Sequence, residues 1–153
     1  MPDTPDTHTA TGLYFELFNE IGILGQLSRA LFEARLPEGL VLPHFTVINH
    51  LIRVQDGRTP LQLARAFQVP KTSMTHTLAG LEKRGFVTMR VNPDDARSKQ
   101  VWLTDAGRRF RDTAIAGIAP DLAGIADTLD PAEVRAVIDK LATLRKRMDA
   151  ARD

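Results

Sequence analysis

From Leu13 to about Leu36 the apolar residues Leu17, Ile21, Leu24, Leu27 and Leu31 recur at three- and four-residue steps, the period of a helix with one apolar side. Phe15, Phe18, Ile23 and Phe32 widen that surface, so this helix needs more than one partner surface. Pro37, Gly39 and Pro43 then mark a loop. Phe45, Val47, Ile48, Leu51 and Ile52 predict a second helix from about Pro43 to Val54, and Asp56-Gly57 a turn after it. Thr59-Pro60 has the chemistry of a helix start, an N-cap hydroxyl followed by a residue that loses only an orphan donor. The short helix it opens, roughly 60–67, offers Leu61, Leu63, Ala64 and Phe67 as apolar contacts.

Pro70 opens the next helical segment, and Gly85 closes it just past Lys83 and Arg84. Met74, Leu78 and Leu81 fall on one face, which should bury against the preceding short helix. Thr72, His76, Ala79 and Lys83 lie opposite, flanked by Ser73 and Thr75, and this outer stripe lacks acidic groups. The pattern then changes. Residues 86–91 alternate and are rich in strand formers, Asn92-Pro93-Asp94-Asp95 is turn chemistry, and residues 100–103 form the returning strand. The tip between them, Asp94 to Lys99, carries Arg97 and Lys99. Thr104 is the next N-cap candidate, with Asp105 in the first turn. A long helix is expected from Asp105 to about Thr128, kinked or interrupted by Pro120. Asp130, Pro131 and Glu133 supply a cap, a first residue and a capping box for the last helix.

The fold class that follows is mainly α with a small β-hairpin. It is a winged helix-turn-helix, 37–104, between dimerisation helices at 13–36 and 105–153, with a flexible arm over 1–12. Neither end can form a core alone, so the terminal helices should pack together and against a second copy.

Charge adds a location. Residues 1–52 hold two Arg and six acids, net −4; residues 53–111 hold twelve Lys and Arg and five acids, net +7; residues 112–153 hold six and eight, net −2. The positive charge is concentrated on the segment expected to read DNA, where phosphates supply binding energy. The chain has no cysteine, which excludes disulfides, thiolate zinc sites and thiol redox sensing and fits a cytoplasmic location. No apolar run approaches the length of about 20 residues that spans a bilayer, and the polar, acidic start is not a signal peptide. No nucleophile, phosphate loop or metal motif is found: His8, His44, His50 and His76 are scattered, and His44 and His50 are six apart, which does not align them on one helical face. No catalytic residue, cofactor or metal is therefore expected. His44 should cap or precede the second helix, and His50 should be partly buried.

Two stretches resemble the MarR family of bacterial transcriptional regulators. One runs from Val69 through Leu78 and on from Leu81 to Val87. The other is the wing, Asn92-Pro93-Asp94-Asp95-Ala96-Arg97-Ser98, followed by Val101-Trp102-Leu103-Thr104-Asp105-Ala106-Gly107. The Asp-x-Arg wing with Leu-Thr-x-x-Gly after it is the more specific. The resemblance implies a homodimeric regulator, repressor or activator, on a pseudo-palindromic operator, with Arg97 in the minor groove. It also implies a small aromatic or lipophilic effector, for which Phe15, Phe18, Phe32, Phe45 and Trp102 are pocket candidates if they are not core. Thr72, Ser73, Thr75 and His76 should then meet base edges or nearby phosphates, while Arg58, Arg65, Lys71, Lys83 and Lys99 hold the backbone. Asp95 should stiffen the wing by pairing with a local Arg. His76 stands where many members have Arg, so base preference does not carry over. The competing reading is a winged-helix module for protein contacts or dimerisation without specific DNA readout.

Overall fold

A computed structural model describes residues 7–152, with side chains from residue 10 onward. Eight elements follow in chain order: α1 (Thr7–Arg35), α2 (Leu42–Arg53), α3 (Pro60–Phe67), α4 (Lys71–Lys83), β1 (Val87–Asn92), β2 (Asp95–Leu103), α5 (Asp105–Ile125) and α6 (Pro131–Ala150). They make two compact units, one ending at Gly117 and the other beginning at Ile118. The fold is the expected one: mainly helical, a winged helix-turn-helix with helices before and after it.

The core of the first unit is built on the inner faces of α2, α3, α4 and the hairpin. Val47, Ile48, Leu51, Leu63, Leu78, Leu81, Val87 and Val101 are the most completely enclosed side chains. Each comes from a position the 3.6- or 2-residue period turns inward. Leu61, offered by the sequence as a partner for α4, is instead 44 % exposed. Burying Leu63 and Ala64, two and three positions on, turns Leu61 away from the core.

Local chemistry sets the element ends. Thr59 accepts the Gln62 N–H through its side chain and Gln62 returns the bond, a capping box with Pro60 in the first turn. Gln68 then takes a left-handed conformation, φ 52°, to turn the chain into α4. Pro70 is the N-cap of α4, so the helix begins one residue later than expected, at Lys71. Asp130 and Glu133 form the expected capping box on α6. At α2 the acceptor is His44: its Nδ1 takes the Val41 N–H at 3.0 Å. Glu33 Oε1 accepts the Leu42 N–H at 2.9 Å, which ties the end of α1 to the start of α2. The Phe32 and Phe45 rings, 5.1 Å apart, close the same junction.

Four expectations shift. Residues 7–12, expected in the flexible arm, begin α1, which starts at Thr7; the rest of that arm lies outside the described residues. An apolar helix that is already nucleated extends into polar residues at small cost. Helix α5 runs through Pro120 without interruption and ends at Ile125, short of Thr128. The returning strand begins at Asp95, five residues before Gln100, so the wing's turn is only Pro93-Asp94. Arg97 and Lys99 therefore stand in β2 and not in a loop. Strand pairing is irregular there: Val91 faces Lys99, whereas Asn92 faces Asp95.

Each unit leaves large apolar side chains exposed. On α1, Leu13, Tyr14, Phe15, Leu24 and Leu27 are 60–69 % exposed. In the second unit Leu122, Ile125, Val137, Ile138 and Met148 are 44–51 % exposed, and α6 has no buried residue.

Candidate nucleic-acid interface

Helix α4 buries Met74, Leu78 and Leu81 and leaves Lys71, Thr72, Ser73, Thr75, His76 and Lys83 toward solvent. Its sequence contains no acid before Glu82. Two hydroxyls are spent locally: Thr75 Oγ1 donates to Lys71 O at 2.9 Å, and Thr77 Oγ1 to Ser73 O at 3.1 Å. Thr75 thus offers a methyl and oxygen lone pairs outward, while the Thr72 and Ser73 hydroxyls can rotate to suit a ligand. Arg65 is exposed on α3.

His44 fixes α4 against α2. A Cβ on Gly80 would lie 2.9 Å from His44 Nε2, so the imidazole sits against the helix at a residue without a side chain. Burial lowers the His44 pKa below the usual 6.5, and the charges of Arg84 and His76 lower it further. The His50 pKa is lowered too, by burial first and then by Arg58 and Arg53. Both histidines favour the neutral form in the fold relative to the unfolded chain. Their penalty is absent above about pH 6.5 and grows as pH falls from there through the folded-state values. We expect urea midpoints to drop from neutral pH to about pH 5, and the His44→Gln, His50→Gln double variant to flatten that drop. An unchanged slope in the double variant would place the acid sensitivity elsewhere.

The wing is shaped by its own side chains. Asn92 Nδ2 donates to Ser98 Oγ at 3.0 Å, and Asn92 Oδ1 accepts the Asp94 N–H at 3.0 Å. Asp95 Oδ1 accepts the Arg97 N–H at 3.0 Å and Arg97 Nε at 3.2 Å. The local Arg expected for Asp95 is therefore Arg97 itself. The Arg97 side chain is 92 % exposed, and Lys99 is exposed beside it.

The base of the wing is held at two points. Asp56 Oδ1 accepts both the Gly57 and the Leu103 N–H. Between them, the Val101 N–H donates to Arg58 O at 2.8 Å and the Val101 carbonyl accepts the Gly57 N–H at 3.0 Å. At the other end Thr104 Oγ1 donates to Gly85 O at 2.6 Å and accepts the Gly107 N–H at 3.1 Å. The Phe86 and Phe110 rings stack 4.6 Å apart beneath it.

The candidates thus fall into three groups. Lys71, Thr72, Ser73, Thr75, His76 and Lys83 share α4; Arg97 and Lys99 share β2; Arg65 stands on α3. Arg58 differs from all of them. It is half-buried, its Nε is enclosed without a hydrogen-bond partner, and its charge lies near His50. Arg90 joins them from β1, although nothing in the sequence had singled it out: its guanidinium lies 5.4 Å above the Trp102 ring. The signal for it was the alternation of the strand, which places Arg90 with Thr88 on the outer face of the hairpin.

Residues 38–98 match the sequence profile of the MarR family. Over these residues the chain is similar to the MarR family. Among solved structures, it is similar to a MarR family transcription regulator at 26 % identity and a TM-score of 0.69, over 96 % of this chain and 97 % of that one. A mutant MarR from E. coli, complexed with operator DNA, aligns at 24 % identity and a TM-score of 0.68, covering 84 % of this chain and 93 % of the other. A MarR transcriptional regulator from Methanosarcina mazei aligns at 18 % and 0.78, covering 88 % and 97 %. The last two, below 25 % identity, speak for the MarR fold alone.

Among the described residues no helix is long and apolar enough to cross a membrane.

Proposed function

We propose that this protein is a homodimeric, sequence-specific DNA-binding repressor of the MarR family, released from its operator by a small aromatic or lipophilic effector. Its α4 lies in the major groove, with Thr72, Ser73, Thr75 and His76 toward base edges. Lys71, Lys83, Arg65, Arg58 and Lys99 neutralise phosphates, and Arg97 enters the minor groove. The observation that carries this reading is the outer face of α4. It is exposed, rich in hydrogen-bonding groups, free of acids from Lys71 to Leu81, and accompanied by a wing that exposes Arg97 and Lys99. An operator complex of an E. coli MarR with a similar fold adds support.

Dimerisation rests on the exposed apolar residues of α1 and α6, too many for a stable monomer surface. A two-fold dimer carries two α4 helices to major grooves about 10–10.5 bp apart. For the effector, Phe32, Phe45 and Trp102 are taken up by packing, whereas Phe15 and Phe18 are 69 % and 43 % exposed on α1. We place the effector against those two rings. It would act by favouring one spacing of the paired α4 helices.

Fluorescence anisotropy with mixed-sequence duplex DNA tests the reading. Affinity should fall steeply and linearly in log salt, with a slope of roughly −0.9 per phosphate neutralised. Absence of binding at low salt would leave a winged helix used for protein contacts alone.

A further inference from the structure

Arg90 and Trp102 form a cation–π contact with no part in the DNA contacts assigned so far. Gly57 has φ +74°, and a Cβ there would lie 2.6 Å from Trp102 Cη2 and Cζ2. The indole therefore lies against the α2–α3 turn, at a position only glycine allows. That turn is bonded to the hairpin on both sides of Trp102, from Gly57 N to Val101 O and from Leu103 N to Asp56 Oδ1. The ring is consequently a fixed platform. Arg90 lies over it, its guanidinium carbon 5.4 Å from the ring centroid. The face of an indole attracts a cation and holds the plane of a guanidinium, while the N–H groups on the guanidinium's edge stay available. Arg97 is paired with Asp95, whereas among the described residues Arg90 pairs with a ring and no carboxylate.

We propose that Arg90 is a phosphate-binding residue of the DNA interface and that Trp102 is its positioning residue. The proposal rests on the DNA-binding reading. An Arg held by a ring keeps its charge uncompensated and its donors free, which suits a phosphate oxygen. It also loses less side-chain freedom on binding than an unsupported Arg, because the ring contact has already restricted it. A carboxylate partner would hold it as well but would cancel the charge. Arg90 lies on β1 two residues before Asn92, where the wing turns, so it would bind a phosphate beside the groove that Arg97 enters.

Trp102 is the protein's one tryptophan, so the emission comes from the ring that Arg90 lies over. The test measures mixed-sequence duplex binding by anisotropy across a salt series, for wild type, Arg90→Ala, Arg90→Lys, Trp102→Leu and Trp102→Phe, with far-UV circular dichroism as the folding control. Arg90→Ala should weaken binding about fivefold or more and reduce the salt slope by about 0.9 for the phosphate it no longer neutralises. Its Trp102 emission should shift in the free protein. Arg90→Lys and Trp102→Leu keep the charge and should lose affinity with the slope unchanged, and Trp102→Phe, which keeps a ring face, should restore most of it. Arg90→Ala with wild-type affinity and slope would overturn the proposal, as would Trp102→Leu binding like wild type. If a Trp102 variant fails to fold, Arg90→Ala and Arg90→Lys decide alone. Wild-type protein that binds no duplex would defeat the parent reading, and this one with it.

Discussion

Gly107→Ala should lower the unfolding free energy by about 3 kcal/mol, the upper end of the cost of overpacking. A Cβ on Gly107 would overlap the backbone carbonyl oxygen of Phe86. That carbonyl is not free to move, because it accepts the Thr104 N–H at 3.2 Å. Thr104 is in turn bonded to Gly85 O, and Phe86 is stacked on Phe110. Making room for one methyl group means opening the junction of α4, β1 and α5. Thr104→Ala at the same junction removes only the cap and its bond to Gly85, and should cost about 1 kcal/mol. Urea unfolding of both variants checks the order. A Gly107→Ala protein within about 0.5 kcal/mol of wild type would mean that Phe86 and α5 can separate more easily than this packing implies.

The same junction explains why Leu-Thr-x-x-Gly is legible as a motif. Thr104 must cap α5 and donate to Gly85 O, which takes a hydroxyl, and Gly107 must make room for Phe86, which only glycine does. Helix starts were legible for the same reason: Thr59 with Gln62 and Asp130 with Glu133 each use a side chain that only a few residues can supply. The burial of Met74, Leu78 and Leu81 followed from spacing alone. Features made by particular side-chain bonds, or by contacts distant in sequence, were not legible. Strand β2 extends back to Asp95 through residues poor in strand formers, because Asn92 binds Ser98 and Asp95 binds Arg97. The Arg90 contact depends on Trp102 and on Gly57, residues from three separate segments. His44 was placed near the start of α2 by its position, but its seat against Gly80 of α4 depends on tertiary packing. Arg58 looked like any other basic residue before a helix. Its backbone is committed to Val101 and its Nε is enclosed, which no local pattern reveals.

Arg97→Ala should lower affinity for operator DNA by roughly 1–3 kcal/mol while leaving dimerisation unchanged. The side chain is 92 % exposed and pairs with Asp95 through Nε. An exposed pair of this kind contributes about 0–1 kcal/mol, so it orients Arg97 without locking it away from a ligand. The terminal nitrogens of the guanidinium remain to meet the concentrated negative potential of a narrow minor groove. Arg97 stands on β2, far in sequence from the exposed apolar residues of α1 and α6, so sedimentation of the variant should match wild type. Asp95→Ala separates orientation from charge: Arg97 keeps its charge but loses the bonds at 3.0 and 3.2 Å that set its direction. Its loss of affinity should be smaller than that of Arg97→Ala, with the salt slope retained. If Arg97→Ala binds operator like wild type, the wing does not enter the minor groove, and readout by this protein falls to α4 alone.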